Sequence, residues 1–246
     1  MEPPIGGLRM DALDACPLGQ IHLFSPLLER TYAVYQALIW QQLTTLDFPE
    51  AANLLLVGAT AVELLAASGT RPSDTVLVHG ASSATGISLL QQLAPLRASV
   101  IGTSSEGNFD RIRRFGAQPV AYGPGLVERV RDIAPGGIDV ALDCVGTDEA
   151  VDVSVGLVVD RERIVTVANA DRAAQLGFRH LNGMEPSSLT YRNRQRQRLI
   201  DMAAAGNLTV PMARTLPLVQ ARRALDILQT GDPGGKLALI PLSPDP

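Results

Sequence analysis

The residues with the most chemical content form one short run. Thr75-Val-Leu-Val-His79 is an apolar, strand-like segment that opens into Gly80-Ala-Ser-Ser-Ala-Thr-Gly86, a turn of small residues followed by helix-forming sequence. That order suits an anion. A helix N-terminus presents unpaired amides and the positive end of its dipole, and small side chains let a phosphate approach the backbone. The dinucleotide fingerprint asks for small residues at its first, third and sixth positions, for a tight turn, close approach and helix packing. Here those positions fall on Ala81, Ser83 and Gly86. Glycine occupies one of the three, so an ordinary strand-turn-helix junction is the competing reading of these residues alone. Ser82, Ser83 and Thr85 add hydroxyl donors, and with Ala84 between them the candidate phosphate-binding set is Ala81 to Gly86.

A loop of this kind works only if a sheet and its helices hold it. Four further strand-like runs follow: Ala98 to Thr103, Gln118 to Tyr122, Ile138 to Leu142 and Arg163 to Ala168. Helical segments separate them, at Gly86 to Leu96, Phe109 to Phe115, Leu126 to Ile133 and Thr147 to Val158. The last opens with a Thr147 cap and acidic Asp148 and Glu149 in its first turn, where the helix dipole favours them. Strands alternating with helices predict a parallel sheet covered on both faces, an α/β, Rossmann-type doubly wound unit from about Arg71 to Asn169.

Two dehydrogenase families come into view. A short-chain dehydrogenase needs a Tyr with a Lys four residues later, and the one lysine of this chain, Lys236, is preceded at that spacing by Asp232. The blocks instead resemble the medium-chain dehydrogenase/reductase superfamily, in its zinc-independent quinone oxidoreductase and enoyl reductase branch. Phe48 to Ala61 is similar to that family's helix leading into the cofactor domain, and Arg71 to Gly80 to its linker and first strand. Phe115-Gly-Ala117, Gly137 to Gly146, Asp160 to Thr166 and Gly234 to Ile240 follow in the family's order. The resemblance covers about Phe48 to Pro241.

The resemblance implies a nicotinamide cofactor. An NAD-preferring site places a carboxylate at the end of the second strand, on the ribose hydroxyls. This chain has Thr103, Ser104 and Ser105 there, hydroxyls able to donate to a 2'-phosphate, so NADPH is the expected cofactor. The basic group of many relatives aligns near Asn108, which is uncharged; Arg111 or Arg114 are the candidate substitutes. Tyr122 stands where similar reductases use a Tyr beside the adenosine phosphate, with a packed strand-end aromatic as its other reading. Cys144-Val145-Gly146 and Ala168-Asn169 resemble the loops under the ribose and nicotinamide.

In this superfamily the substrate lies between the cofactor domain and an N-terminal barrel resembling the GroES fold. Only 47 residues precede Phe48, and Met1 to Arg30 shows no clean series of alternating strands. Thr31 to Tyr35 and Gln41 to Leu46 resemble the barrel's closing strands. The expected organisation is therefore a truncated barrel remnant over residues 1–47, a Rossmann domain with a C-terminal return segment over 48–241, and a tail at 242–246. Tyr32 and Tyr35 are possible proton donors from the remnant. No metal site is expected: Cys16, Cys144, His22, His79 and His180 show no paired ligand spacing, and His79 reads as a packing residue closing a buried strand.

Composition narrows the class. At 246 residues and 46% hydrophobic, the chain can fill one substantial core plus a smaller appendage. A net charge of −4 disfavours nucleic acid as a partner. The basic cluster Arg192, Arg194, Arg196 and Arg198 has two-residue spacing, which spreads it around a helix, and it reads as a solvated face. No apolar run of membrane length and no signal peptide is read, so a cytoplasmic protein is expected.

The function these residues favour is NADPH-dependent reduction of a quinone or an electron-poor carbon–carbon double bond. A pathway enzyme such as a cyclase or isomerase in the opened cleft, and a non-catalytic nucleotide-binding module, are the alternatives. The family pairs cofactor domains through sheet edges, so a homodimer is expected, with Leu208 to Thr215 and the strand near Val165 as candidate edge and apolar surface exposed around Leu54 to Leu65.

Overall fold

In a computed structural model, which describes residues 46–229 and 234–241, the chain enters its first helix through a capping box. Asp47 accepts the amide of Glu50, the Glu50 carboxylate accepts the amide of Asp47, and Pro49 stands in the first turn. Helix α1 then runs Phe48–Ala67. It is 20 residues long and apolar enough to meet the length and composition of a membrane span, contrary to expectation. Here it works as a core helix. Leu54, Val57, Ala61 and Leu64 are buried, and α1 packs on α2 (Ala84–Leu93) and α7 (Pro186–Ala204). The segment Leu54 to Leu65, expected to be exposed, is therefore mostly interior; Leu56 is its exposed large side chain.

The strands follow as β1 (Thr75–His79), β2 (Ser99–Ser104), β3 (Gln118–Ala121), β4 (Val140–Asp143), β5 (Ile164–Thr166) and β6 (Arg179–His180). All pair in parallel in the order β3-β2-β1-β4-β5-β6. The chain turns back across the sheet between β3 and β4, opening a crevice at the carboxyl ends of β1 and β4. Between strands lie α3 (Phe109–Arg114), α4 (Leu126–Ile133), α5 (Asp148–Leu157) and α6 (Ala170–Leu176). Alternation along β1 sorts the core. Val76 and Val78 pack with Leu64, Ile87 and Leu90 on one face, while Leu77 packs with Val120, Leu126 and Val151 on the other.

The sequence boundaries hold to within a few residues, and each shift has a local cause. Helix α2 begins at Ala84 because Ser83 takes an extended backbone and accepts the amide of Gly86 at 3.0 Å. Thr147 caps α5 by accepting the amide of Ala150. Strand β6, with two residues, is too short to leave a period in sequence.

The expected sheet edge is corrected. Val165 lies in β5, which is paired on both sides, so the outer strands of the main sheet are β3 and β6. The segment after Leu208 contributes β7 (Met212–Pro217), which pairs in parallel with β8 (Lys236–Ile240) in a separate two-stranded sheet; α8 (Ala221–Gln229) lies between them in sequence. The basic cluster is corrected in part. Arg194 and Arg198 are exposed, but Arg192 is withdrawn against Gly183 and pairs with buried Glu63 of α1. The residues assigned to a barrel remnant up to position 45, with Tyr32, Tyr35, Cys16 and His22, lie outside the described residues.

Candidate functional site

Gly80 leaves β1 with φ +69°, a left-handed turn that favours glycine. Five residues lead from it to Gly86, where a Cβ would stand 2.4 Å from the Gly80 carbonyl oxygen and 2.7 Å from Ala81. The missing side chain is what lets α2 start this close to the strand. Ala81 is itself constrained: its amide donates to the Thr103 carbonyl, and a Cβ on Gly102 of β2 would come within 2.6 Å of its methyl. Among the described residues, the amides of Ser82, Ala84 and Thr85 meet no acceptor. Together with the hydroxyls of Ser82 and Thr85, they form a cradle of donors at a helix N-terminus. Ser83 uses its oxygen as the cap.

At the end of β2 the hydroxyls divide their work. Thr103 is buried and its Oγ1 accepts the amide of Gly80 at 3.2 Å, so it braces the loop. Ser104 is buried and donates to the Ser105 carbonyl at 2.9 Å. Ser105 is exposed, and its Oγ accepts from Asn108 at 3.1 Å. Of the three hydroxyls, Ser105 is the one open to a ligand. Arg111 lies beside Gly234, with one guanidinium nitrogen buried and unpartnered, whereas Arg114 is exposed. Tyr122 follows β3 and donates its amide to the Ser104 carbonyl at 3.4 Å, beside Ser105 in the chain of β2. Its side chain is 60% exposed, which removes the packed-aromatic reading.

The two loops on the other side of the crevice are joined through residues that sequence reasoning passed over. Asp143 ends β4, is buried, and accepts the amides of Val145 and Gly146 on one oxygen, both at 2.9 Å. Its other oxygen accepts from the Thr166 hydroxyl at 2.7 Å, and Thr166 in turn accepts the amide of Ala168 at 3.0 Å. Asn169 donates to the Gly146 carbonyl at 2.8 Å and caps α6 with its own oxygen. Gly146 takes φ +72°, and a Cβ there would lie 2.7 Å from the Ala168 methyl. The Cys144 and Asn169 loops thus form one unit, written around a buried carboxylate. The available signal was Asp at the end of an apolar strand, two residues before its own turn.

His79 lies beneath this crevice, buried, with Nδ1 3.4 Å from Thr103 Oγ1 and no partner for Nε2. Burial pushes its pKa down to about 4, against the charges of Asp143 and Glu149, so the ring is neutral. Burial, with Asp143 adding, holds the Cys144 thiol well above its usual range, which removes it as a nucleophile. Among the described residues no group of His, Cys, Asp and Glu could hold a metal ion.

Residues 115–239, half of the chain, match the family described as zinc-binding dehydrogenase. A probable quinone oxidoreductase of Schizosaccharomyces pombe is 29% identical over 205 residues, 77% of this chain and 62% of its own length. A 2-haloacrylate reductase of a Burkholderia species is 28% identical over 232 residues, 87% of this chain and 69% of its own. A mycobacterial protein solved in complex with NADPH shares the fold, with a TM-score of 0.66 at 22% identity over 81% of this chain and 66% of that one. The chain spans 25% and 10% of the length of two further curated relatives.

Proposed function

Since the chain belongs to the zinc-binding dehydrogenase family, within the medium-chain dehydrogenase/reductase superfamily, we propose that it is an NADPH-dependent oxidoreductase that reduces a quinone or an activated carbon–carbon double bond. The observation that carries this reading is the set of amides at Ser82, Ala84 and Thr85 that meet no acceptor among the described residues, on a turn that a side chain at Gly86 would fill. The residues present fit a dinucleotide. Those amides would hold its pyrophosphate, Ser105 and Tyr122 would flank the adenosine phosphate, and the Cys144–Gly146 and Ala168–Asn169 loops would underlie the ribose and nicotinamide. When bound, the reduced nicotinamide supplies a hydride to an electron-poor carbon or quinone. The chain's own part is to bind and orient. Asp143 and Thr166 fix the two nicotinamide-side loops relative to each other, and the neutral His79 keeps a second charge out of the crevice floor.

We read the chemistry as zinc-independent, by analogy with the quinone oxidoreductase and reductase relatives. The substrate is a small molecule, and the active assembly a homodimer. Among the described residues no strand pairs with the outer sides of β3 and β6, which supports pairing between copies, since an unpaired strand edge is a template for association.

A fluorescence titration with NADPH, repeated with NADH, tests the reading. Saturable binding with preference for NADPH, followed by oxidation of NADPH in the presence of a quinone or an enone, is the expected outcome. Binding of neither cofactor overturns it, and turnover of a substrate without cofactor would point to a cyclase or isomerase instead. Light scattering tests the assembly: a monomeric mass that persists at micromolar concentration removes the homodimer.

A further inference from the structure

We infer that Arg129 and Glu149 are positioning residues that hold Tyr122 in place as one wall of the adenosine-phosphate site, an inference that rests on the cofactor reading above. Both act on the backbone of the turn that carries it. Arg129 projects from α4 back onto the turn that precedes it, donating to the carbonyls of Pro124 at 2.7 Å, Ala121 at 2.8 Å and Gly123 at 2.9 Å. Glu149, in the first turn of α5, accepts the amide of Gly123 at 3.0 Å. The turn that carries Tyr122 is therefore gripped from both sides, by a cation on its carbonyls and a carboxylate on its amide.

The turn needs that grip. Gly123 takes φ +101° and Gly125 φ +81°, and Pro124 between them donates no amide; the Gly123 and Gly125 carbonyls accept the amides of Leu126 and Arg129 at 3.1 and 3.2 Å, while the Gly123 amide relies on Glu149. Tyr122 is more than half exposed, so the turn beneath it does most to order it. An unsupported exposed aromatic loses affinity to the cost of ordering it on binding, and a turn fixed beforehand avoids that cost. The guanidinium fork is suited to the task, because its planar donors reach three carbonyls that a lysine ammonium could not span together. Glu149 also ties the two halves of the crevice. It belongs to the helix that follows the Cys144–Gly146 loop, so the distance between the adenosine-side turn and the ribose-side loop is set through one carboxylate.

The test uses the full chain, with NADPH and with adenosine 2',5'-bisphosphate, a fragment that carries the adenosine phosphate and lacks the nicotinamide. The variants are Arg129→Met, Arg129→Lys, Glu149→Gln, Tyr122→Ala and Arg129→Met combined with Tyr122→Ala. Arg129→Met is expected to weaken the fragment about fivefold, with Arg129→Lys between it and the unmodified protein. The double variant is expected to bind no more weakly than Tyr122→Ala alone, since Arg129 acts through the ring. In Arg129→Met, KM for NADPH should rise more than kcat at saturating NADPH falls, the split expected of a residue that acts on cofactor binding through the turn. Exchange of the Gly123 amide, measured without ligand, should accelerate in Glu149→Gln. A double variant that is additive, or fragment affinity unchanged in Arg129→Met while Tyr122→Ala weakens it, overturns the inference and leaves the cofactor reading standing. Unmodified protein that binds neither NADPH nor the fragment overturns both.

Discussion

The side-chain amide of Gln91 pairs with the backbone of Thr209 as one strand pairs with another. It donates to the Thr209 carbonyl at 3.0 Å and accepts its amide at 2.8 Å, with the Thr209 hydroxyl donating to the same oxygen at 3.1 Å. Gln91 stands two turns along α2 from the phosphate cradle, and Thr209 leads into β7, 118 residues away in sequence. One side chain therefore fastens the C-terminal segment to the helix whose N-terminus is the anion site.

Gln91→Ala is expected to destabilise the protein by about 2 kcal/mol, the cost of leaving a partly buried amide and carbonyl without partners. Thr209→Val, which removes only the hydroxyl, should cost less than about 1 kcal/mol. Urea unfolding of the two variants checks this, and equal midpoints for both and for the unmodified protein would refute the fastening.

Gly86 carries the sharpest steric constraint of the cradle. A methyl group there meets backbone at 2.4 Å, not the end of a flexible side chain, so Gly86→Ala must push α2 away from the strand. NADPH affinity is expected to fall about tenfold, with a stability loss of about 1–3 kcal/mol. Gly156→Ala is the control: its added Cβ meets nothing within 4 Å, and alanine in α5 should leave binding intact and raise stability by up to about 1 kcal/mol. Full NADPH affinity in Gly86→Ala would show that the cradle is not the pyrophosphate site.

Cofactor preference should turn on Ser105, the exposed hydroxyl of the three that end β2. Ser105→Asp places a carboxylate where it repels a 2'-phosphate and accepts from ribose hydroxyls, so the ratio of NADPH to NADH affinity should fall by about tenfold or more. Ser104→Asp is a poorer test, because Ser104 is buried and a carboxylate there would disturb the fold first. An unchanged ratio in Ser105→Asp, measured by paired titrations, would place the discriminating residue elsewhere.

His79 sets a pH dependence of stability. Its folded pKa, about 4, lies below the unfolded value of 6.5, so between these the unfolded chain binds the extra proton. The stability this neutral ring contributes is complete above about pH 6.5 and is lost as the pH falls towards about 4. Between pH 7 and pH 5 the loss should be about 2 kcal/mol, and His79→Gln should flatten that part of the curve. Asp143 and Glu149 are the acidic groups whose charges act on the ring, and both remain in the variant. Parallel curves for the two proteins would exclude His79 as the source.

Much of the fold follows from local physics that a sequence carries by itself. Apolar runs of strand length separated by helical periods specify a parallel sheet, and Thr147 announces a helix start because a cap bonds to an amide only three residues away. Gly80 and Gly86 were legible for the same reason: the turn they make is local. The roles of the hydroxyls were not. Thr103, Ser104 and Ser105 look equivalent in sequence, and only strand pairing, which turns successive side chains to different surroundings, assigned the first to Gly80, buried the second and exposed the third. The same holds for Asp143 with Thr166, Glu63 with Arg192 and Arg129 with the Tyr122 turn. Sequence fixes which groups can bond, but a long-range partner is chosen by which strands and helices become neighbours, and that choice belongs to the assembled sheet. Apolar surface on α1 shows the limit most clearly: its composition alone suits a lipid bilayer as well as a protein core, and burial against α2 and α7 decides for the core because those helices offer matching apolar faces and an arginine for its buried glutamate.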